Sequence, residues 1–248
     1  ARIPLASANP MVEELLSGKP RIVILNKADL ADPGITKAWE SYYKRKGVAA
    51  VSMSCGNGKD KKKFLRLIKE AAGPMLEKWR RRGLKTRSVR IMILGIPNVG
   101  KSTLINFISG TAAARTANTP GHTRGKQWVR LSQGLDLLDT PGVLWPKFED
   151  QEVGKKLAFI GSIKDEILQT EELSTELIKF LNAEYAGVLE EKYSIEHLED
   201  VYECLTEIAK SRHCIVRGSE LDTEKAAAIL LDDFRSGKLG RISLERPQ

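Results

Sequence analysis

The chain is poor in cysteine, in histidine and in long apolar runs. It has 248 residues, of which three are cysteine and three histidine. An odd number of cysteines in a chain this long argues against a disulfide framework and for a reducing compartment. Cys55, Cys204 and Cys214 are too far apart for a local metal clip, and Cys214 beside His213 is more typical of packing than of zinc binding. No apolar run of about 18 residues and no signal-peptide pattern occurs, so we expect a soluble, cytoplasmic protein.

Positive charge is distributed unevenly. The net charge is +8, but residues 1–147 carry +17 and residues 148–248 carry −9. Residues 59–90 are the densest part, with 13 basic and three acidic residues. Clustered cations bind polyanions because they release counterions, although a solvated helix face is the alternative interpretation. The RNA-binding candidates of this part are Lys61, Lys62, Lys63, Arg80, Arg81 and Arg82.

Short apolar runs alternate with helical patterns as far as Gly161. Strands are predicted over 21–25, 48–51, 89–94, 127–131 and 135–138, and helices over 35–46, 61–72 and 102–109. Continuous apolar runs suit parallel strands that are covered on both faces. The alternation therefore predicts an α/β fold with a doubly wound, mostly parallel sheet.

The strand signal ends at about Ser162. Apolar residues then recur at helical spacing, with one or two helices expected over 163–181 and another after Ser194, which is placed to cap it. Asp222 or Thr223 can cap a further helix that ends near Gly237. We expect two domains, an α/β domain over 1–161 and a small all-helical domain over 162–248.

The strongest motif is Gly95-Ile96-Pro97-Asn98-Val99-Gly100-Lys101-Ser102, which fits the pattern G-x-x-x-x-G-K-[ST]. It follows an apolar strand and opens a predicted helix, which is the context that a phosphate-binding loop requires. Backbone amides and the helix N-terminus would bind a polyphosphate, Lys101 would reach the β- and γ-phosphates, and Ser102 would bind Mg²⁺. The phosphate-binding candidates are Asn98, Val99, Gly100, Lys101, Ser102 and Thr103.

A second motif, Asp139-Thr140-Pro141-Gly142, follows the last predicted strand. Taken alone it indicates a turn. About 40 residues after a phosphate-binding loop, it predicts that Asp139 holds Mg²⁺ through water and that the Gly142 amide contacts the γ-phosphate. A threonine is also needed for Mg²⁺, and Thr123 is preferred to Thr119.

Two short motifs in the first quarter of the chain indicate that the protein binds a guanine base. Asn26-Lys27-Ala28-Asp29 follows a predicted strand, and the Asp29 carboxylate would accept hydrogen bonds from N1–H and the exocyclic amine of guanine. Ser52-Met53-Ser54 ends the next strand, where a backbone amide could bind the guanine oxygen. The guanine-binding candidates are Asn26, Lys27, Asp29, Ser52, Met53 and Ser54.

Together these motifs resemble those of GTPases in an unusual order, because the guanine motifs precede the phosphate-binding loop. The order is typical of circularly permuted GTPases, and the chain most resembles the ribosome biogenesis GTPase A family. The resemblance covers nearly the whole chain, including 137–150, 161–165 and 240–245. It implies a permuted Ras-like GTPase domain followed by a helical domain, with GTP or GDP and Mg²⁺ as ligands. It also implies action on a precursor of the large ribosomal subunit and its rRNA, as a monomer, without a membrane or DNA.

Several features depart from the family pattern. The chain opens on Ala1-Arg2-Ile3-Pro4, so a first strand and an N-terminal helix are expected to be missing, together with a histidine that the family uses. Ser52-Met53-Ser54 replaces the more usual Ser-Ala-x. The net charge of −9 in the last part is awkward for RNA binding, although Arg212 and Arg217 could contact phosphates.

The residue that activates water is not evident. Ras-type enzymes carry a glutamine just after D-x-x-G, and Val143 stands there. Lys101, Thr123 and Gly142 are the catalytic candidates, His122 is a weaker one, and Asn98 resembles the asparagine of GTPases that hold K⁺ against the phosphates. Slow intrinsic hydrolysis that ribosomal particles stimulate is therefore expected. The rival interpretations are a signalling switch whose acidic helical domain binds a protein effector, and a permuted GTPase of the small subunit.

Overall fold

The computed structural model describes residues 1–9, 12, 16, 18–84, 88–110, 127–131, 134–140, 150–163, 170–216, 218 and 220–248, without the side chains of Gln127, Leu131 and Asp139. The chain forms two compact units. One contains Ala1–Phe148 and Ser243–Gln248, and the other contains Glu149–Ile242. The helical unit thus begins ahead of the boundary that the sequence pattern suggests, and the last six residues return to the first unit.

The first unit contains two groups of strands. β1 (Ile22–Leu25) pairs in parallel with β2 (Ala49–Ser52). β5 (Leu135–Asp139) lies between β3 (Val89–Met92), to which it is parallel, and β4 (Gln127–Leu131), to which it is antiparallel. All five strands lie within two residues of their predicted bounds.

Helices follow strands in this unit, as the alternation predicts. α1 (Pro33–Arg45) begins at a proline whose fixed φ suits the first helical position, and the Asp32 side chain caps it by accepting from Ile35 N. α2 (Gly58–Arg81) is much longer than predicted, and α3 (Lys101–Ser109) directly follows the glycine-rich loop. Within the described parts of the chain, no helix is both long and apolar enough to cross a bilayer.

The extra length of α2 has a physical cause. The prediction ended before Pro74, which removes one helical hydrogen bond. Phe64, Ile68 and Ala72 are nevertheless buried along one side of the helix, and Trp79, beyond the proline, packs against the same core. Apolar packing on both sides of Pro74 therefore offsets the missing bond.

The core of the first unit is shared by both groups of strands. Val51 of β2, Val89 of β3 and Leu137 of β5 belong to one cluster of buried side chains, together with residues of α2 and α3. The loops that follow β1, β2 and β3 are consequently fixed to a common core.

The last residues of the chain close the first unit. Leu244 N donates to Arg2 O over 2.9 Å, and the Glu245 carboxylate accepts from Leu5 N over 2.7 Å and from Ala6 N over 3.1 Å. Trp39 Nε1 donates to the Glu245 carbonyl over 3.1 Å, and the Trp39 ring is fully buried. These contacts join residues more than 200 positions apart in the chain.

The second unit is helical. Its helices are α4 (Gln151–Phe159), α5 (Thr170–Glu184), α6 (Val188–Tyr193), α7 (Val201–Ser211) and α8 (Thr223–Ser236). Leu177 of α5, Ile208 of α7 and Phe234 of α8 are all fully buried. The Arg235 guanidinium donates to the carbonyls of Ala158 and Phe159, which attaches the end of α4 to α8.

Caps in the helical unit agree with the prediction at one helix and not at another. Asp222 caps α8 and Gly237 ends it, as predicted. The prediction for Ser194 was wrong, because this residue ends α6 in the left-handed region at φ 55°. Asp200 caps α7 instead, accepting from the amides of Tyr202 and Glu203.

Candidate functional site

The glycine-rich loop joins β3 to α3. Gly100 has φ 87°, and a Cβ there would lie 2.6 Å from Asn26 Nδ2. Asn98 is also in the left-handed region, at φ 59°. Turns that contain left-handed residues can direct successive amides toward one side, which is how backbone amides form an anion-binding concavity. The geometry fits a bound polyphosphate and requires glycine at position 100.

The Lys101 side chain folds back over this loop. It is only 9% exposed, and its ammonium donates to Gly95 O over 3.0 Å and to Ile96 O over 2.8 Å. Ser102 and Thr103 follow in the first turn of α3, and the N-cap residue Gly100 has no side chain that could accept from the first amides. A helix start of this kind attracts anions because its amides and dipole present positive charge.

The D-T-P-G motif is attached to the start of the same loop. Ile93 N donates to Leu138 O over 3.3 Å, and Thr140 Oγ1 donates to Ile93 O over 2.6 Å. Asp139 lies between these two contacts, so its backbone is fixed beside the phosphate-binding loop. Its side chain is outside the description, as are Gly142, Val143, the two switch candidates Thr119 and Thr123, and the weaker catalytic candidate His122.

Asn26 links the guanine motif to the phosphate-binding loop. Its Nδ2 donates to the Val99 carbonyl over 2.7 Å. Lys27 follows in the left-handed region at φ 54°, and Asp29 lies in the short 3-10 turn Ala28–Leu30. Burial of the ammonium lowers the pKa of Lys27, and the charge of Arg2 lowers it further. The structure thus brings the N-K-A-D residues and the phosphate-binding loop together.

The Ser52-Met53-Ser54 segment is placed next to Asn26, but its amides are already occupied. Ser52 N donates to Glu40 Oε1 over 2.7 Å, Met53 N to Leu25 O over 3.0 Å, and Ser54 N to Asp60 Oδ2 over 3.0 Å. An amide that holds the loop together is not available to a base. All three amides of the predicted segment are therefore engaged within the protein in this structure.

Cys55, which directly follows this segment, was not among the guanine-binding candidates. Its amide makes no hydrogen bond to any described residue, and its thiol donates to Asn26 Oδ1 over 3.7 Å. Burial raises the pKa of the Cys55 thiol. A sequence signal was present, because Ser54-Cys55 also places a small residue after a serine, as in the Ser-Ala-x pattern.

The RNA-binding candidates differ in their environments. Lys62, Arg80 and Arg82 are exposed. Lys61 Nζ lies 5.9 Å above the Phe107 ring, Lys63 bonds to Glu40 over 3.0 Å, and Arg81 pairs with Glu77 over 2.6 Å. In the helical unit, Arg212 pairs with the buried Asp233 over 3.2 Å and lies over the Tyr193 ring, while Arg217 is outside the description.

Comparison with known proteins identifies the family. The family model described as "50S ribosome-binding GTPase" matches residues 90–216. Ribosome biogenesis GTPase A of Bacillus cereus is 41% identical over 249 residues, which cover 100% of this chain and 84% of that protein. The Priestia megaterium protein of the same name is 42% identical and is covered to 86%. The chain belongs to the ribosome biogenesis GTPase A family.

Solved structures agree with this assignment. GDP-bound YlqF superposes with a TM-score of 0.69 at 26% identity, over 99% of this chain and 91% of the other. GNP-bound YlqF from T. maritima gives a TM-score of 0.67 at 27% identity, over 100% and 89% of the two chains. Family membership confirms the circularly permuted GTPase fold and the GTPase activity, with a guanine nucleotide as ligand and Mg²⁺ as its usual companion.

Proposed function

We propose that this GTPase assists assembly of the large ribosomal subunit in the cytoplasm, docking on rRNA as a monomer in its GTP state. The similarity over the full chain to proteins named ribosome biogenesis GTPase A carries the proposal. The basic residues 59–90 support an RNA partner. A signalling switch is not favoured, because these relatives are named for ribosome biogenesis.

Co-sedimentation tests this function directly. The full chain is mixed with salt-washed large or small ribosomal subunits, with either a non-hydrolysable GTP analogue or GDP. We expect the protein to pellet with large subunits in the analogue and to remain mostly in the supernatant with GDP. Equal pelleting with both subunits, or no dependence on the nucleotide, would overturn the proposal.

Guanine recognition is proposed to involve two loops, one that carries Asp29 and one that carries Cys55. The Asp29 carboxylate would accept from N1–H and the exocyclic amine, and the Cys55 amide would donate to the guanine oxygen. Asn26 would keep the two loops in place, since it contacts both Val99 and Cys55. Lys27 would lie along the base with its alkyl chain, because its side chain is exposed beside Asn26 and can keep the ammonium in water.

Phosphate and metal binding are proposed for the loop and its neighbours. The amides of residues 98–103 would bind the phosphates, and the Lys101 ammonium would exchange its two carbonyl partners for phosphate oxygens. Ser102 and Thr123 would bind Mg²⁺ directly, with Asp139 acting through water and the Gly142 amide at the γ-phosphate. The metal would neutralise charge on the phosphates.

A monovalent cation is proposed as an additional ligand at Asn98. The position normally held by a water-orienting glutamine is Val143, which has no polar group in its side chain. A K⁺ ion would offset charge that develops on the phosphates, as an arginine finger does in other GTPases. Hydrolysis should be faster in K⁺ than in Na⁺, and Asn98→Ala should remove that difference. Equal rates in both salts for the unaltered protein would exclude this role.

A further inference from the structure

The outward side of α2 carries several exposed cations. Phe64, Ile68 and Ala72 mark the buried side, at every fourth residue. At about 100° per residue, the opposite side contains a set of exposed basic residues that we call the outer stripe. Its members are Lys59, Lys62, Arg66, Lys69 and Arg80. The helical rise makes this stripe about 30 Å long.

Acidic residues of α2 leave most of the outer stripe uncompensated. Asp60 is engaged by the Ser54 amide, and Glu77 pairs with Arg81, which lies beside the stripe. Glu70 pairs with Arg66 over 3.5 Å, with both side chains at least 60% exposed. Exposed pairs of this kind contribute only about 0–1 kcal/mol, so Arg66 can exchange its carboxylate for a phosphate at little cost.

The outer stripe differs from the basic triplets that the sequence suggests. Lys61 lies toward the buried side of α2 and its ammonium contacts the Phe107 ring. Lys63 lies on the outward half of the helix, but its ammonium bonds to Glu40 of α1. Helical position and existing ion pairs, and not adjacency in sequence, therefore decide which cations can face a partner together. Arg66 and Lys69 join the set, and Lys61 and Lys63 leave it.

A nucleic acid fits this surface better than a membrane does. An amphipathic helix binds a bilayer through an open apolar face, and the apolar face of α2 is buried in the core. Lys59 to Lys69 place four of these cations within about 15 Å, and Arg80 follows about 16 Å further along the helix. Each cation can neutralise a phosphate of an RNA strand and release its counterions. We propose that the outer stripe of α2 binds the RNA phosphate backbone without reading the base sequence. This inference rests on the proposed function, of which it names the docking surface.

The test compares two double charge reversals in the full chain. Lys62→Glu/Lys69→Glu alters the outer stripe, whereas Lys37→Glu/Lys44→Glu makes the same change at exposed positions of α1. Binding to salt-washed large subunits and to an rRNA fragment is measured over a range of salt concentrations. We expect the stripe variant to bind at least about tenfold more weakly at low salt, with a slope of log affinity against log salt that is shallower by about two. The α1 variant should bind like the unaltered protein.

The outcomes separate this inference from the proposed function. If the unaltered protein does not bind ribosomal particles, the proposed function fails. If it binds and the stripe variant binds equally well, or if both variants lose affinity to the same extent, the docking surface is wrong and the function stands. If the stripe variant binds anionic lipid vesicles more weakly than the unaltered protein does but keeps its affinity for RNA, the assignment of this surface to RNA is also wrong. Unchanged melting temperatures of both variants establish that the fold is intact.

Discussion

The Asn26 side-chain amide donates a hydrogen bond to the Val99 carbonyl, 73 residues further along the chain. Asn26 follows β1 and Val99 follows β3. In the described residues, these two strands belong to separate hydrogen-bonded groups. A single side chain therefore connects the loop proposed to contact the base with the loop proposed to contact the phosphates, and it does so across the permuted order of the motifs.

Removing this link should weaken nucleotide binding. Loss of one partner of a partly buried hydrogen bond costs about 1–3 kcal/mol, so Asn26→Ala should lower the affinity for both GDP and GTP by about 5- to 150-fold. Calorimetric titration measures the change. Asn182→Ala is the matched control, because its amide also donates to a backbone carbonyl, that of Leu198, but in the helical unit. A GDP affinity equal to that of the control would contradict the coupling of the two loops.

Base selectivity should depend on Asp29. Its carboxylate can accept two hydrogen bonds from guanine, and leaving it unpaired against adenine is costly. GTP should therefore bind more tightly than ATP by several kcal/mol, roughly 100-fold or more. Asp29→Asn should shift the preference toward xanthosine nucleotides, whose extra carbonyl replaces the amine. Competition titrations with the three triphosphates give the order, and equal binding of GTP and ATP would exclude Asp29 as the discriminating group.

The Cys55 amide can be tested apart from its thiol. Cys55→Pro deletes the N–H, whereas Cys55→Ala keeps it and removes the contact of the thiol with Asn26 Oδ1. We expect the proline variant to lose about tenfold in GDP affinity, as for one unmade hydrogen bond to the base, and the alanine variant to lose less. Met53→Pro serves as a reference, because its amide donates to Leu25 O and its loss should lower thermal stability as well. An alanine variant as weak as the proline variant would assign the effect to the thiol.

The proposed roles in phosphate and Mg²⁺ binding predict different effects for four alanine variants. Lys101→Ala and Ser102→Ala should each reduce GTP binding or hydrolysis, the second mainly through weaker use of Mg²⁺. Thr123→Ala should leave GDP binding nearly unchanged and weaken only the GTP state. Affinities for GDP and for a GTP analogue are compared at several Mg²⁺ concentrations. If Thr119→Ala gives the pattern expected of Thr123→Ala, the switch threonine has been misassigned.

Glu40 should give the first unit a pH-dependent stability. Burial acts to raise its pKa, but hydrogen bonds from the Ser52 amide, the Lys63 ammonium and the Ser52 hydroxyl outweigh it and hold the pKa below the ordinary 4.5. A lowered pKa in the folded state stabilises the fold above the unfolded-state value, and this contribution is lost as the pH falls through the folded-state value. Glu40→Gln should therefore reduce the free energy of unfolding by about 1–2 kcal/mol at neutral pH.

Urea denaturation at neutral pH and well below pH 4.5 measures this difference. The gap between the unaltered protein and Glu40→Gln should shrink on the acid side. Glu70→Gln is the control, since Glu70 is 60% exposed and pairs only with Arg66 in the described residues, and it should have little effect at either pH. A gap that stays constant with pH would show that Glu40 acts through packing and not through its charge.

The sequence predicted strands and motifs well because their signals are local. Gly95–Ser102 has a fixed spacing between an apolar strand and a helix, and Asp222 and Gly237 mark both ends of α8. The misassignments involved signals that are not local. Ser194 has the chemistry of a cap, but Asp200 lies where the helix begins.

Cys55 shows the same limit within the site. Which amide is available to a ligand depends on Glu40, Leu25 and Asp60, which come from three different segments and occupy the amides of Ser52, Met53 and Ser54. Neither composition nor motif spacing shows which distant residues will occupy these amides. The outer stripe of α2 likewise required the actual length of the helix beyond Pro74.

The return of residues 243–248 to the first unit has a consequence for biosynthesis. A nascent chain emerges from its N-terminus, and early domains commonly fold before later ones are made. Here the amides of Leu5 and Ala6 bond to the Glu245 carboxylate, and the indole of Trp39 bonds to the Glu245 carbonyl. Glu245 is synthesised only after the helical unit, so these hydrogen bonds cannot form earlier. The nucleotide-binding unit therefore precedes the helical unit in the chain but is completed after it, once residues 243–248 have been synthesised.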